Sequence, residues 1–119
     1  MPEPEDPRYL DGIACFNRGD YFDAHEVWEE LWNDCPAADR RFYQALIQAA
    51  VALYHFERGN PAGTARLFRS GKRYMEPYHT THRGLDIVAF WEQVESHVRP
   101  ALGGASTPGP MPVIAIRVE

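Results

Sequence analysis

Through most of the chain, apolar residues recur at every third or fourth position, the period of amphipathic helices, and glycines and prolines cut the pattern into segments. The first segment predicts a helix from about Pro7 to Arg18, with Pro7 in its first turn and Gly19 ending it. Asp20 then stands where a cap belongs for a second helix over about 21–33, and Asp23 complements that helix's positive end. "NDCPAAD" turns the chain into the longest segment, about Ala37 to Arg58, which Gly59 stops. Asn60 and Pro61 supply a cap and a first helical position for a fourth helix, which runs to about Met75, ahead of Pro77. "YHTTHRGL" reads as a loop, and Asp86 caps a fifth helix over about 87–98, closed by Pro100. "GGASTPGPMP" has the composition of a flexible linker, and "VIAIRV", Val113 to Val118, is short and β-branched, which predicts a strand. The expected architecture is all-α: a compact bundle of about five helices over residues 1–100, a linker over 101–112, and a C-terminal strand and tail over 113–119.

The pattern contains an echo. "FNRGDYFDAHEVW" from Phe16 and "FERGNPAGTARLF" from Phe56 share Phe-x-Arg-Gly-Asp/Asn, and each continues to an aromatic at the same spacing, Trp28 or Phe68. Each copy reads as helix, glycine turn, cap and second helix, so the chain contains two antiparallel hairpins resembling tetratricopeptide-type pairs. Any two helical hairpins can converge on this grammar, so duplication stays open beside convergence. Two such units are too few for a solenoid, which again predicts a bundle.

On a wheel of about 100° per residue, Tyr21, Ala24, Trp28, Leu31 and Trp32 form the apolar stripe of the second helix. Asp23, Glu26 and Glu30 fall opposite, while His25 and Glu29 lie one turn apart on the border of the stripe, beside Phe22. The third helix is apolar nearly all round, which marks it as central; its polar strip is Arg41, Gln44, Gln48 and His55. A Gln48–His55 strip turned toward His25 and Glu29 would make a polar pocket in an aromatic shell with Trp28 and Trp32 as wall; a strip turned to water would make none. On the fourth helix Arg66, Arg69, Lys72 and Arg73 share a flank, either a solvated face or an anion- or partner-binding surface.

Composition changes this picture only at the edges. Apolar residues at 45% and charged residues at 24% are ordinary for a globular domain. No apolar run approaches the ~20 residues of a membrane span. The acidic, proline-rich start resembles neither a secretory signal nor a transit peptide, so the expectation is a cytoplasmic protein with Cys15 and Cys35 reduced. The net charge of −5 is uneven: residues 1–35 carry −8, residues 36–83 carry +5 and the rest −2. Oppositely charged stretches can attract each other or a second copy, and the overall acidity argues against general nucleic-acid binding.

The densest chemistry is "YFDAHEVWEELW". His25-Glu26-x-x-Glu29 compares with the zinc-protease helix His-Glu-x-x-His but has Glu29 where the second histidine belongs, so a protease is a poor reading. An imidazole and a carboxylate at i and i+4 can still share one ion, and zinc, iron or manganese accepts that mixture. His55 is the best third ligand, with His79 and His82 as outside candidates. A desolvated Glu29 would have a raised pKa and could act as a general base. The plainer reading is a surface pair worth roughly 0.2–0.5 kcal/mol. "HTTH" alone reads as a solvated turn, and Trp28 and Trp32 as core.

Taken together, "CFNRGDYFDAHEVWEELW", "FYQALIQAAVALYHFERGN" and the helix that follows resemble the bacterial and archaeal family known as domain of unknown function 309, over about Leu10 to Tyr78. The resemblance implies a helical fold. It also implies a functional, metal-binding role for the family's His-x-x-x-Glu-x-x-Trp/Tyr hallmark, which falls on His25, Glu29 and Trp32. Two readings follow. One is a metal- or small-ligand site formed by His25, Glu29, Gln48 and His55. The other is an interaction module without catalysis, in which the terminal strand seeks a sheet edge, including that of a second copy in a homodimer.

Overall fold

The computed structural model describes residues 5–104 and 106–117. Five helices form the body: α1 (Pro7–Asn17), α2 (Tyr21–Asp34), α3 (Arg40–Glu57), α4 (Pro61–Met75) and α5 (Ile87–Val98). Short 3-10 turns precede α3 and follow α4 and α5. No helix among the described residues is long and apolar enough to cross a membrane.

The two glycine turns are the same structure. Gly19 (φ 83°) and Gly59 (φ 73°) each take the left-handed position past a helix end. At the first, the Gly19 and Asp20 amides donate to Phe16 and Cys15 carbonyls; at the second, Gly59 and Asn60 donate to Phe56 and His55. Both are complete Schellman terminations. The start signals then diverge. Asn60 accepts from the Gly63 amide at 3.0 Å, whereas Asp20 makes no side-chain cap bond and pairs instead with Arg18 Nε at 3.2 Å.

α3 is the central helix, with Phe42, Leu46, Ala49, Ala50 and Leu53 shielded from solvent. Small residues let its neighbours approach closely. A Cβ on Gly71 of α4 would stand 2.8 Å from the Trp91 ring and 3.3 Å from the Ala45 carbonyl. A Cβ on Gly12 of α1 would overlap the Trp28 indole, whose Nε1 donates to the Tyr9 carbonyl at 3.2 Å. α5 closes the core through Phe90 on Phe16 and Trp91 on Phe68. The molecule is therefore a bundle, and the tetratricopeptide comparison rests on the turns alone.

The β-structure lies elsewhere than expected. β1 (Thr81–His82) and β2 (Leu85–Asp86) form an antiparallel hairpin inside "YHTTHRGL". Arg83 (φ 45°) and Gly84 (φ 75°) are both left-handed, as a tight two-residue hairpin turn requires. The strand expected over Val113–Val118 is absent from the described part, 113–117; Val118 and Glu119 lie outside the described residues. That segment is held instead by side-chain amides. Asn17 donates to the Ile114 carbonyl (2.9 Å) and accepts from its amide (2.7 Å), and Gln93 accepts from the Val113 amide (2.9 Å). Arg117 N–H donates to the Gly84 carbonyl at 2.8 Å, and Ile114 and Pro112 are buried. β-branched residues supplied the propensity, but the hydrogen bonds go to two side chains and to the Gly84 carbonyl in the hairpin turn rather than along a strand edge.

Candidate functional site

The helical wheel places His25 and Glu29 correctly relative to each other: His25 Nε2 lies 3.3 Å from Glu29 Oε2. The other ring nitrogen, Nδ1, is 2.7 Å from the Phe22 carbonyl oxygen, a bond back along the same helix that fixes the ring. The Phe22 ring stands 5.0 Å from the imidazole and 5.5 Å from the ring of Tyr54. α2 and α3 run antiparallel, so the start of α2 meets the end of α3, and this brings Tyr54 to the site. The imidazole is mostly covered, at 20% exposure, whereas the Glu29 side chain is 56% exposed. The desolvation that a buried carboxylate base needs is therefore missing.

Gln48 and His55 are placed differently. Gln48 turns to α4, where its Cβ lies 3.4 Å from the position a Cβ would take on Gly71. Its Oε1 is buried with no partner among the described residues. His55 leans over the first turn of α4, with Nδ1 3.3 Å from Asn60 Nδ2. α3 thus presents this polar strip to α4, because the small residues of α4 lie there. The described residues contain no group of three or more His, Cys, Asp or Glu able to hold a metal ion, so His55 does not complete a three-ligand set with His25 and Glu29. Trp28 is buried in the core over Gly12, and Trp32 lies beneath the Arg40 guanidinium at 4.0 Å. The ring against His25 is that of Phe22, which packs in turn on Tyr54 of α3.

The flank of α4 is divided as well. Lys72 lies over Phe68 at 5.5 Å and lines a groove against Trp91 of α5, whereas Arg73 faces Arg41 of α3. Arg66 and Arg69 are exposed.

The best-knit polar centre is one that the sequence reading missed. Asp39, just before α3, is 3% exposed. Its carboxylate accepts from His82 Nε2 (2.7 Å) and, in a fork, from two Arg83 nitrogens (3.0 and 2.7 Å). Arg83 also reaches Glu5 at 3.2 Å, and its carbonyl accepts from Tyr9 Oη at 3.0 Å. The His82 ring sits between Phe42 (4.7 Å) and Tyr78 (4.5 Å). Burial pushes the Asp39 carboxyl up, but the Arg83 and His82 bonds outweigh it and hold it below the usual carboxylate value. "HTTH" is thus half tied down: His79 is exposed, while His82 anchors the hairpin to the start of α3. A buried acid opening the central helix and an arginine–glycine turn were the available signals. Their pairing across 44 positions was not visible from spacing.

Comparison with known proteins agrees with the motif. The chain is 36% identical over 99 residues to the uncharacterized protein YpuF of Bacillus subtilis, a match covering 74% of this chain and 57% of that protein. It is 34% identical over 83 residues to an uncharacterized protein of Aquifex aeolicus, covering 66% of this chain and 25% of the other. The matched part is thus little more than half of one relative and a quarter of the other. Residues 9–67, from α1 into α4 and including His25, Glu29 and Trp32, match the family described as "Domain of unknown function (DUF309)", and the chain belongs to that family.

Proposed function

We propose that the outer face of α2 is a small-ligand site in which His25 and Glu29 make the polar contacts and Phe22 and Tyr54 the apolar wall, with a divalent metal ion (zinc, iron or manganese) as one ligand it takes. The observation that carries this reading is the 2.7 Å contact from His25 Nδ1 to the Phe22 carbonyl. A carbonyl only accepts, so Nδ1 holds a proton, and whenever Nε2 carries none its lone pair faces Glu29 Oε2 at 3.3 Å. Two acceptors facing each other repel until a proton or a cation stands between them. A backbone carbonyl on the far nitrogen is also the usual way of orienting a metal-ligating histidine. Two protein donors leave most coordination positions open, so binding is expected to be weak and exchangeable, with room for a second ligand on the ion.

Titrating zinc, manganese and ferrous ion into protein purified without a histidine tag tests the reading, with backbone amide NMR signals of α2 as readout. One-to-one saturable binding in the wild type, lost in His25→Ala and Glu29→Gln while both stay folded, is the expected result. Equal binding by wild type and both variants would end the proposal.

A second reading, an interaction module, is favoured by the 48% exposure of Phe22 beside this pair. Its homodimer version, pairing through the C-terminal segment, requires residues 113–117 to leave Asn17 and Gln93. Solution mass of the full chain and of a chain lacking residues 108–119 tests that version. A dimer only in the full chain supports it, and monomers in both remove it.

A further inference from the structure

Arg41 near the start of α3, and Ser70, Arg73 and Tyr74 in the last turns of α4, line one surface groove of about 280 Å³. α3 and α4 are antiparallel neighbours, so the first turn of one meets the last of the other. The Arg41 guanidinium lies 5.1 Å from the Tyr74 ring centroid, a cation–π contact that holds it at the groove. Arg8, Arg18, Arg83 and Arg99 each have a carboxylate within 4.0 Å; Arg41 and Arg73, like Arg40, Arg58, Arg66 and Arg69, have none among the described residues, but these two share a groove. In a chain with 17 acidic residues and a net charge of −5, two unpaired guanidiniums on one concavity call for an explanation. Arg73 in the final turn does offset the negative end of α4, but that role needs no second arginine across the groove.

We infer that this groove binds a phosphate dianion, as inorganic phosphate or as a small phosphomonoester. Guanidinium forks match phosphate oxygens two at a time, and the Ser70 and Tyr74 hydroxyls can donate to the remaining oxygens. The volume falls just below the range of small-molecule pockets, roughly 300–1,000 Å³, which suits a phosphate or a short phosphorylated molecule and is tight for a nucleotide. Of the basic residues of α4 only Arg73 takes part, so the site is an α3–α4 feature and stands independently of the α2 proposal.

The test is titration of inorganic phosphate and of phosphoserine into the full chain at low ionic strength, read by backbone amide shifts of α3 and α4. Saturable binding of at least one is expected, weakened about tenfold or more in Arg41→Gln and in Arg73→Gln, since a charge-assisted bond is worth that much. Arg66→Gln, off the groove, should bind as wild type does. All three side chains are exposed, and circular dichroism verifies that the variants stay folded. Tighter phosphoserine binding assigns the site to phosphomonoesters, and tighter phosphate binding to the free ion. No saturable shift with either ligand, or equal weakening by Arg66→Gln, overturns the assignment.

Discussion

Replacing Asp39 tests whether its ion cluster holds the β1–β2 hairpin to the start of α3. The carboxylate accepts three hydrogen bonds from His82 and Arg83. Bonds to charged groups contribute about 1.5–3 kcal/mol each, but these partners are not fully enclosed. The Arg83 side chain is 35% exposed and that of His82 28%, so water recovers part of any loss. Discounting for that, Asp39→Asn should cost about 2–3 kcal/mol. Asp39→Ala should cost slightly more, because it removes both oxygens and leaves Arg83 with Glu5 alone. Urea unfolding followed by tryptophan fluorescence should show a lower midpoint at unchanged slope. A double-mutant cycle with Arg83→Ala should return a coupling of about 1 kcal/mol or more.

Acid gives an independent check. Because the folded Asp39 carboxyl lies below its ordinary value, the folded state binds this proton less readily than the unfolded chain. Its contribution is therefore fully present above the unfolded pKa, about 4, and is lost as pH falls through the lower folded value. Asp39→Asn should flatten that acid limb of the stability profile. A variant within about 0.5 kcal/mol of wild type, with the limb unchanged, would refute the claim that this cluster ties the hairpin down.

Two further predictions concern packing and caps. Gly12→Ala places a methyl group inside the Trp28 indole, so α1 and α2 must separate; thermal unfolding should show a loss of about 1–3 kcal/mol despite alanine's better helix propensity, and a stabilised variant would contradict the packing. Asn60→Ala should cost about 1 kcal/mol, whereas Asp20→Ala should cost only a few tenths, since only Asn60 makes a side-chain cap bond; denaturation midpoints that rank the other way would show that the two turns are not used as described.

The helical frame was legible because its punctuation is local. Gly19 and Gly59 are needed for their backbone angles, and Asn60–Pro61 for a cap and a fixed first φ, so each signal acts within a few residues. The β1–β2 hairpin was not legible, because strands of two residues are too short to show a period. At 113–117 propensity pointed to a strand, but the partners are the Asn17 and Gln93 side chains and the Gly84 carbonyl, all far away in sequence. The helical wheel was informative within one helix and not between helices. A wheel fixes which residues of one helix are neighbours, and His25 meets Glu29. It cannot say which neighbouring helix a border strip faces, and Gln48 went to Gly71 of α4.

That difference separates the polar residues by what they can be asked to do. Asp39 is enclosed and its bonds hold two distant segments together, so its substitution is read first in stability. His25 and Glu29 lie within one turn of one helix, and a surface pair of this kind contributes roughly 0.2–0.5 kcal/mol. The bundle hardly depends on them: the core beneath α2 is made by Tyr21, Ala24, Trp28 and Leu31. A ring pinned by a backbone carbonyl, an exposed carboxylate and an exposed phenylalanine together are poor value as packing and well arranged for contact with something outside the fold. The expected signature is therefore asymmetric: His25→Ala should leave the unfolding midpoint within about 0.5 kcal/mol of wild type while abolishing ligand binding. A large stability loss with binding intact would assign the pair to the scaffold instead.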